Sequence, residues 1–122
     1  MSFNASRMLA FDLETTSNIP HEARIVTSAL VSIEGSTVDS QEMLANPGIE
    51  IPQPATDVHG ITTQYAREHG QDHDEVLAKT IAAIKKGWDE GKTLIVYNAN
   101  YDLTVLRSLD EDFTVTGPVF DP

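Results

Sequence analysis

The 122-residue sequence contains no cysteine and few basic residues. Without cysteine, neither disulfide bonds nor thiolate metal ligands can form, and the redox compartment stays open. The 8 Lys and Arg residues face 19 Asp and Glu residues, which gives a net charge of −11. This balance argues against binding nucleic acid through a basic surface, although binding through metal ions stays open.

Long apolar runs are also lacking. No stretch approaches the length that spans a membrane, and residues 1–7 are polar and do not lead into the apolar core of a signal peptide. The length fits one domain with a real hydrophobic core. We therefore expect a single-domain cytoplasmic protein with no membrane partner.

Two carboxylates end the apolar stretch MLAFDLETT at residues 8–16. Residues two apart on a strand share a face, so Asp12 and Glu14 should project together, with Leu13 on the opposite face. Two neighbouring anions repel each other, and removing them from water costs more. Either this strand end is solvated, or a positive group lies between the two carboxylates.

The rest of the pattern predicts an α/β domain with a mixed sheet. The first strand is apolar on both faces and should be central. The predicted strands are 7–14, 24–33 and 37–44, which form an antiparallel meander, then 93–99 and a last one opening at GPVFDP.

The helices are predicted from spacing and caps. They are 62–69, 73–90 with Asp72 as its cap, and 101–110. The longest should bury an apolar face made of Leu77, Ile81, Ile84 and Trp88. Residues 46–62 contain three prolines and no periodicity, so they read as an extended loop. His21, His69 and His73 show no ligand spacing and read as surface residues.

A third carboxylate, Asp102, falls in the first turn of the last helix, where the helix dipole favours an anion. It shares a face with residues such as Val105 and Leu106 that should pack on the sheet. If the strand before this helix is parallel to the first strand, both end at one edge. Asp12, Glu14 and Asp102 would then converge, and hard oxygen ligands of this kind suit Mg²⁺ or Mn²⁺.

Three segments resemble a known family. FDLETT (11–16) and YNANYDLTVL (97–106) resemble the first and second motifs of the DEDD superfamily of 3′→5′ exonucleases, closest to its DnaQ-like proofreading branch. Between them, VHGIT (58–62) resembles the substrate-side loop of that branch. The resemblance implies a ribonuclease H-like fold, with a three-strand antiparallel meander, parallel strands and flanking helices.

The resemblance implies hydrolysis of phosphodiesters from the 3′ end by a two-metal mechanism. Asp12 would bridge two Mg²⁺ or Mn²⁺ ions, Glu14 would hold the first ion with its water, and Asp102 would hold the second. The substrate would be the 3′ end of single-stranded DNA, with RNA as the alternative. Contacts to that substrate are implied for Leu13, Thr15, Thr16, His59, Asn98 and Tyr101.

One part of the family pattern is not found. The third motif supplies a His or Tyr general base and a fourth Asp on a C-terminal helix, whereas this chain ends at Pro122 and Asp121 belongs to the closing strand. Tyr97 also stands where many relatives carry His. We therefore expect one exonuclease-type domain over residues 1–122 that is truncated before the third motif and inactive alone. The missing C-terminal segment or a DNA polymerase would be its partner.

Other interpretations stay open. The chain could be a degenerate module that binds nucleic acid or protein on the same fold. An aspartyl-phosphate phosphatase also begins with an apolar strand and D-x-D-x-T, but the third position here is Glu14. Individually, Asp102 could be an ordinary helix-start residue, His59 a structural loop residue and Tyr101 a core residue.

Overall fold

The computed structural model describes residues 7–122, so the expectation that the first residues do not begin a signal peptide falls largely outside it. Six strands form one sheet in the order β4-β3-β2-β1-β5-β6, with four helices around it. The strands are β1 Arg7–Thr15, β2 Ile25–Glu34, β3 Thr37–Asn46, β4 Gln71–Asp72, β5 Thr93–Ile95 and β6 Val119–Phe120. The helices are α1 Gln53–His59, α2 Thr63–His69, α3 His73–Asp89 and α4 Ala99–Leu109.

β1 is central, as its sequence predicts. It pairs antiparallel with β2 along its whole length and parallel with β5 at Met8–Ala10 only. β2 in turn pairs antiparallel with β3, which completes the predicted meander. Because β5 pairs only with the first half of β1, residues 11–15 extend past it and leave an open edge.

The main core lies between the sheet and α3. Leu9, Phe11 and Leu13 alternate along β1 and are buried, while Asp12 between them is exposed. The predicted apolar face of α3 is confirmed, since all four of its members are buried: Leu77, Ile81, Ile84 and Trp88. Asp72 caps this helix by accepting a hydrogen bond from the backbone N–H of Glu75 at 3.1 Å, also as predicted. Among the described residues, no helix combines the length and the apolar character needed to cross a membrane.

The predicted loop at 46–62 is wrong in part, because it contains α1. Pro52 and Pro54 stand at the start of this helix, where proline is tolerated, and Gly60 ends it with a left-handed backbone at φ 77°. Gln53 donates a side-chain hydrogen bond to Asp57 one turn later at 2.7 Å. No residue of α1 is buried. The helix therefore lacks the apolar periodicity by which helices are found in a sequence.

Three further expectations need correction. The strand predicted at 93–99 is ordered as a strand only over Thr93–Ile95, and α4 begins at Ala99 rather than 101. The early start follows from Asn98, whose left-handed backbone (φ 55°, ψ 53°) turns the chain directly into the helix. His21 and His69 are exposed as expected, but His73 is buried, with only 4% of its surface exposed.

Candidate active site

The carboxyl half of β1 and the start of α4 meet at the open edge of the sheet. α4 follows β5 after three residues, and β5 runs parallel to β1. Asp12 and Glu14 lie on the part of β1 that extends past β5, and Asp102 lies in the first turn of α4. The charges of Asp12 and Glu14 both raise the pKa of the Asp102 carboxyl. The three carboxylates are therefore electrostatic neighbours.

Asp102 is the most unusual of the three. Its side chain is buried, with 4% exposed, and its Oδ2 atom has no hydrogen-bond partner. Burial, followed by the charge of Asp12, raises the pKa of this carboxyl to about 7, although a hydrogen bond from the backbone N–H of Leu13 opposes the shift. A buried carboxylate with a free oxygen lacks the partner that such groups ordinarily have. A cation would supply that partner.

Asp12 reaches the solvent, yet partial desolvation raises the pKa of its carboxyl as well. The backbone N–H of Leu13 again opposes the shift. One amide in the middle of the D-L-E stretch thus interacts with two of the three carboxylates.

A complete metal cage is not preformed. Within residues 7–122, no three His, Cys, Asp or Glu side chains are placed so that they could enclose an ion. Like-charged carboxylates separate when nothing positive lies between them. The donor set nevertheless fits Mg²⁺ or Mn²⁺, because it consists of carboxylate oxygens and one of them, Oδ2 of Asp102, is buried and unpaired.

A cleft of about 730 Å³ opens beside Glu14, whereas Asp12 and Asp102 do not line it. Glu14 borders it, together with every residue that the sequence predicts to contact substrate: Leu13, Thr15, Thr16, His59, Asn98 and Tyr101. The opposite wall comes from α1 and the residues before it, including Pro52, Ala55 and the strongly exposed Val58. The cleft therefore combines an acidic border, hydroxyl groups and an apolar wall.

Tyr101 joins α4 to the end of β1. Its hydroxyl lies 2.6 Å from Oγ1 of Thr15, and it also donates to the backbone carbonyl of Ser17. Thr15 Oγ1 donates to the same carbonyl at 2.8 Å. Burial raises the pKa of the Tyr101 phenol. Tyr101 packs against the main core and lines the cleft, so the two interpretations of this residue are compatible.

His59 also combines a structural contact with a free group. Its Nδ1 accepts a hydrogen bond from the backbone N–H of Ile61 at 3.1 Å, so the ring proton of the neutral form resides on Nε2. This Nε2 is buried and has no partner. The structural interpretation of His59 therefore holds for one ring nitrogen, and the other is a buried donor without a partner.

The sequence interpretation missed the contribution of His73. β1 and β2 shift register between Glu14 and Thr15, because Glu14 lies opposite Thr27 whereas Thr15 lies opposite Ile25. The Ile25 backbone N–H on the far side of this bulge donates to His73 Nε2 at 3.0 Å. Burial lowers the pKa of His73, which keeps this nitrogen an acceptor.

Arg24, which precedes Ile25, connects this contact to the cleft. Arg24 donates its backbone N–H to Thr16 Oγ1 and accepts from the Thr16 N–H, both at 3.0 Å. His73 thus holds the start of β2 in place, and the adjoining Arg24 in turn holds the chain at Thr15 and Thr16. A signal was available in the sequence, since positions 73, 77 and 81 lie on one face of the same helix.

The raised pKa of Asp102 predicts that stability depends on pH. The pKa is raised above its unfolded value of 3.8, because the fold favours the protonated carboxyl. The free energy of unfolding therefore keeps its full value below about pH 4 and falls as the pH rises through 7. Asp102→Asn removes the ionisation. Relative to wild type, it should gain roughly 2–4 kcal/mol of unfolding free energy between pH 4.5 and pH 8 without divalent metal. Urea unfolding at both pH values measures this gain.

Glu111→Gln is the matched control, because Glu111 is exposed just after α4 and the substitution makes the same chemical change. Its effect should not vary with pH in this way. If the difference in unfolding free energy between Asp102→Asn and wild type stays constant from pH 4.5 to 8, the Asp102 carboxyl does not have a raised pKa.

Comparison with known proteins gives the following matches. The RNase_T family model, described as Exonuclease, matches residues 9–117. A Rhodobacter capsulatus protein named DNA polymerase III subunit epsilon-like protein is 35% identical over 109 residues, which are 81% of this chain and 14% of that protein. The Clostridium perfringens DNA polymerase III PolC-type is 28% identical over 117 residues, which are 93% of this chain and 8% of that protein.

Solved structures give the same fold. Exonuclease I without ligand superposes with a TM-score of 0.77 at 18% identity, over 97% of this chain and 29% of the other. The Escherichia coli Exonuclease I in complex with a dT13 oligonucleotide gives 0.76 at 19% identity, over 95% of this chain and 28% of the other. The predicted ribonuclease H-like fold is confirmed by this likeness. The chain spans less than a third of each of these proteins.

Proposed function

Because this chain belongs to the RNase T exonuclease family, we propose that it carries the first part of the active site of a 3′→5′ exonuclease acting on DNA. The observation that carries the proposal is the buried carboxyl of Asp102, with one oxygen unpaired, beside Asp12 and Glu14. Such an arrangement costs stability unless a cation is bound. Functional sites are the usual place where a fold retains a cost of this kind.

Asp12, Glu14 and Asp102 would hold two Mg²⁺ or Mn²⁺ ions. When bound, ions of this kind lower the pKa of an attacking water and stabilise the attacking and leaving oxygens of a phosphodiester. The chain's own contribution is to hold the carboxyl groups close together through β1 and the first turn of α4. Because the pKa of Asp102 is about 7, ion binding near neutral pH would displace its proton.

The cleft is suited to the end of a single strand. The hydroxyl oxygens of Thr15 and Tyr101 line the cleft and would accept hydrogen bonds from a sugar hydroxyl, since both hydroxyl protons are already donated to the Ser17 carbonyl. The apolar wall with Val58 offers contact to a base. A neighbour of the same fold was solved with a dT13 oligonucleotide, which supports single-stranded DNA over RNA as the first substrate to test.

The remaining catalytic parts belong to the proposal as well. A general base and a fourth carboxylate would come from a further segment or from a partner subunit. The names of the two relatives, a DNA polymerase III subunit epsilon-like protein and a DNA polymerase III PolC-type, support a polymerase as that partner, a role in DNA replication or repair and a cytoplasmic location. One competing function is a non-catalytic binding module on the same fold, which would use the cleft without the three carboxylates.

Binding of Mn²⁺ separates these two functions. The chain should bind Mn²⁺ weakly at pH 7.5, and Asp12→Ala and Asp102→Ala should each weaken binding at least about tenfold, because each removes an anionic ligand. Isothermal calorimetry or electron paramagnetic resonance measures the affinity. Asp39→Ala, an exposed acid two strands away from β1, is the control and should bind like wild type. Equal affinity in all four proteins would favour the binding module.

Activity should require more than these 122 residues. Loss of a general base alone costs about 10²–10⁴-fold in rate, and a missing ligand adds to that. The chain alone should therefore release almost no mononucleotide from a labelled single strand with Mn²⁺ present. Fusion to a segment that supplies a His or Tyr base and an Asp should restore release from the 3′ end, and Asp102→Ala should abolish it.

DNA and RNA strands of one sequence, labelled at the 3′ or the 5′ end, give the substrate and the direction in the same assay. Rapid digestion by the unfused chain would contradict the expected inactivity. An inactive fusion that still binds the strand would support the binding module instead.

A further inference from the structure

The N-terminus of α4 is capped from a distant part of the chain. Its N-cap residue, Asn98, makes no capping hydrogen bond with its own side chain. Instead Asp121, 23 residues later, accepts a hydrogen bond from the Asn98 backbone N–H through Oδ1 at 3.3 Å. Its other oxygen, Oδ2, accepts one from the Ala99 N–H at 3.0 Å. One carboxylate thus binds two consecutive amides.

Asn98 needs such a partner. Among residues 7–122 it alone has a positive φ without being glycine, and a left-handed backbone is costly for residues with a side chain. The first amides of a helix also lack partners within the helix. A carboxylate at this position satisfies two of these amides and interacts favourably with the helix dipole. Asp121 therefore compensates for both problems.

The core fixes the position of Asp121. It follows β6, whose residues Val119 and Phe120 lie opposite Leu94 and Ile95 of β5. Just before β6, the carbonyl of Pro118 accepts a hydrogen bond from the Trp88 indole at 3.0 Å.

Gly117, the residue before Pro118, also contacts Trp88. It packs so tightly on Trp88 that an added Cβ would lie 2.3 Å from the indole ring. Although Asp121 is exposed, its backbone is therefore anchored on both the sheet and α3.

The first turn of α4 transmits this position to the candidate site. The carbonyl of Asn98 accepts hydrogen bonds from the backbone N–H groups of Tyr101 at 2.9 Å and Asp102 at 3.4 Å. Asn98 and Tyr101 line the cleft, and Asp102 carries the buried carboxyl. A displacement of Asn98 would move all three residues together.

We propose that Asp121 is a positioning residue, which sets the start of α4 and through it the places of Tyr101 and Asp102. In the sequence Asp121 reads only as part of the closing strand, whereas in the structure it follows β6 and faces α4. The part of this inference that concerns metal affinity rests on the proposed function. The part that concerns the backbone of α4 does not.

Amide hydrogen exchange, resolved by nuclear magnetic resonance, tests the backbone part. Asp121→Ala should speed exchange at Asn98 and Ala99 at least about tenfold, with a smaller rise at Tyr101 and Asp102. Asp121→Asn retains a single acceptor oxygen, so its effect should be intermediate. Asp112→Ala removes the same unit charge from an exposed position beyond the other end of α4 and should leave these four amides unchanged. Unchanged exchange in Asp121→Ala would overturn the inference.

Mn²⁺ affinity, measured on the same proteins, tests the connection to the site. Asp121→Ala should weaken binding about tenfold, Asp121→Asn less, and Asp112→Ala less than twofold. If Asp121→Ala speeds exchange but binds Mn²⁺ as Asp112→Ala does, Asp121 caps the helix without positioning the ligand, and the inference is overturned. If wild type itself does not bind Mn²⁺, the proposed function fails, while exchange at Tyr101 and Asp102 still decides whether Asp121 positions this turn.

Discussion

The repulsion between the buried carboxyl of Asp102 and the carboxylates of Asp12 and Glu14 is the constraint on which this structure depends. Burial and neighbouring charge raise the pKa of Asp102 to about 7, so the isolated chain at neutral pH keeps this group partly protonated. An apolar residue at position 102 would avoid this loss of stability. The fold retains it where β1, α4 and the cleft meet, which is where a bound cation would convert repulsion into attraction.

The elements around these carboxylates hold them from several directions. On one side, His73 binds the start of β2, which supports the bulge at Glu14 and the turn at Thr16. On the other side, the Tyr101 hydroxyl connects α4 to β1 at Thr15. Each contact joins residues far apart in sequence, so the site forms only when the whole sheet has assembled. The three carboxylates accordingly belong to a central strand and a helix rather than to a loop.

Much of the fold could be predicted from the sequence, because β1, β2 and α3 bury clear apolar patterns and α2 begins at a Thr cap. α1 could not, since it buries nothing. The carboxylates and the cleft residues were found through the motifs FDLETT, VHGIT and YNANYDLTVL, whose residues the fold brings together. Motifs do not reveal the contributions of His73 and Asp121, because each acts through hydrogen bonds to the backbone of a distant segment. Only the position of His73 on the buried face of α3 indicated that it is buried.

The central claim is that the three carboxylates form a cation site, and anomalous scattering from crystals grown with Mn²⁺ tests it most directly. The account predicts an anomalous peak enclosed by Asp12, Glu14 and Asp102, with the unpaired Oδ2 of Asp102 among its ligands. Peaks confined to other surface acids, with Oδ2 of Asp102 still without a partner, would contradict it.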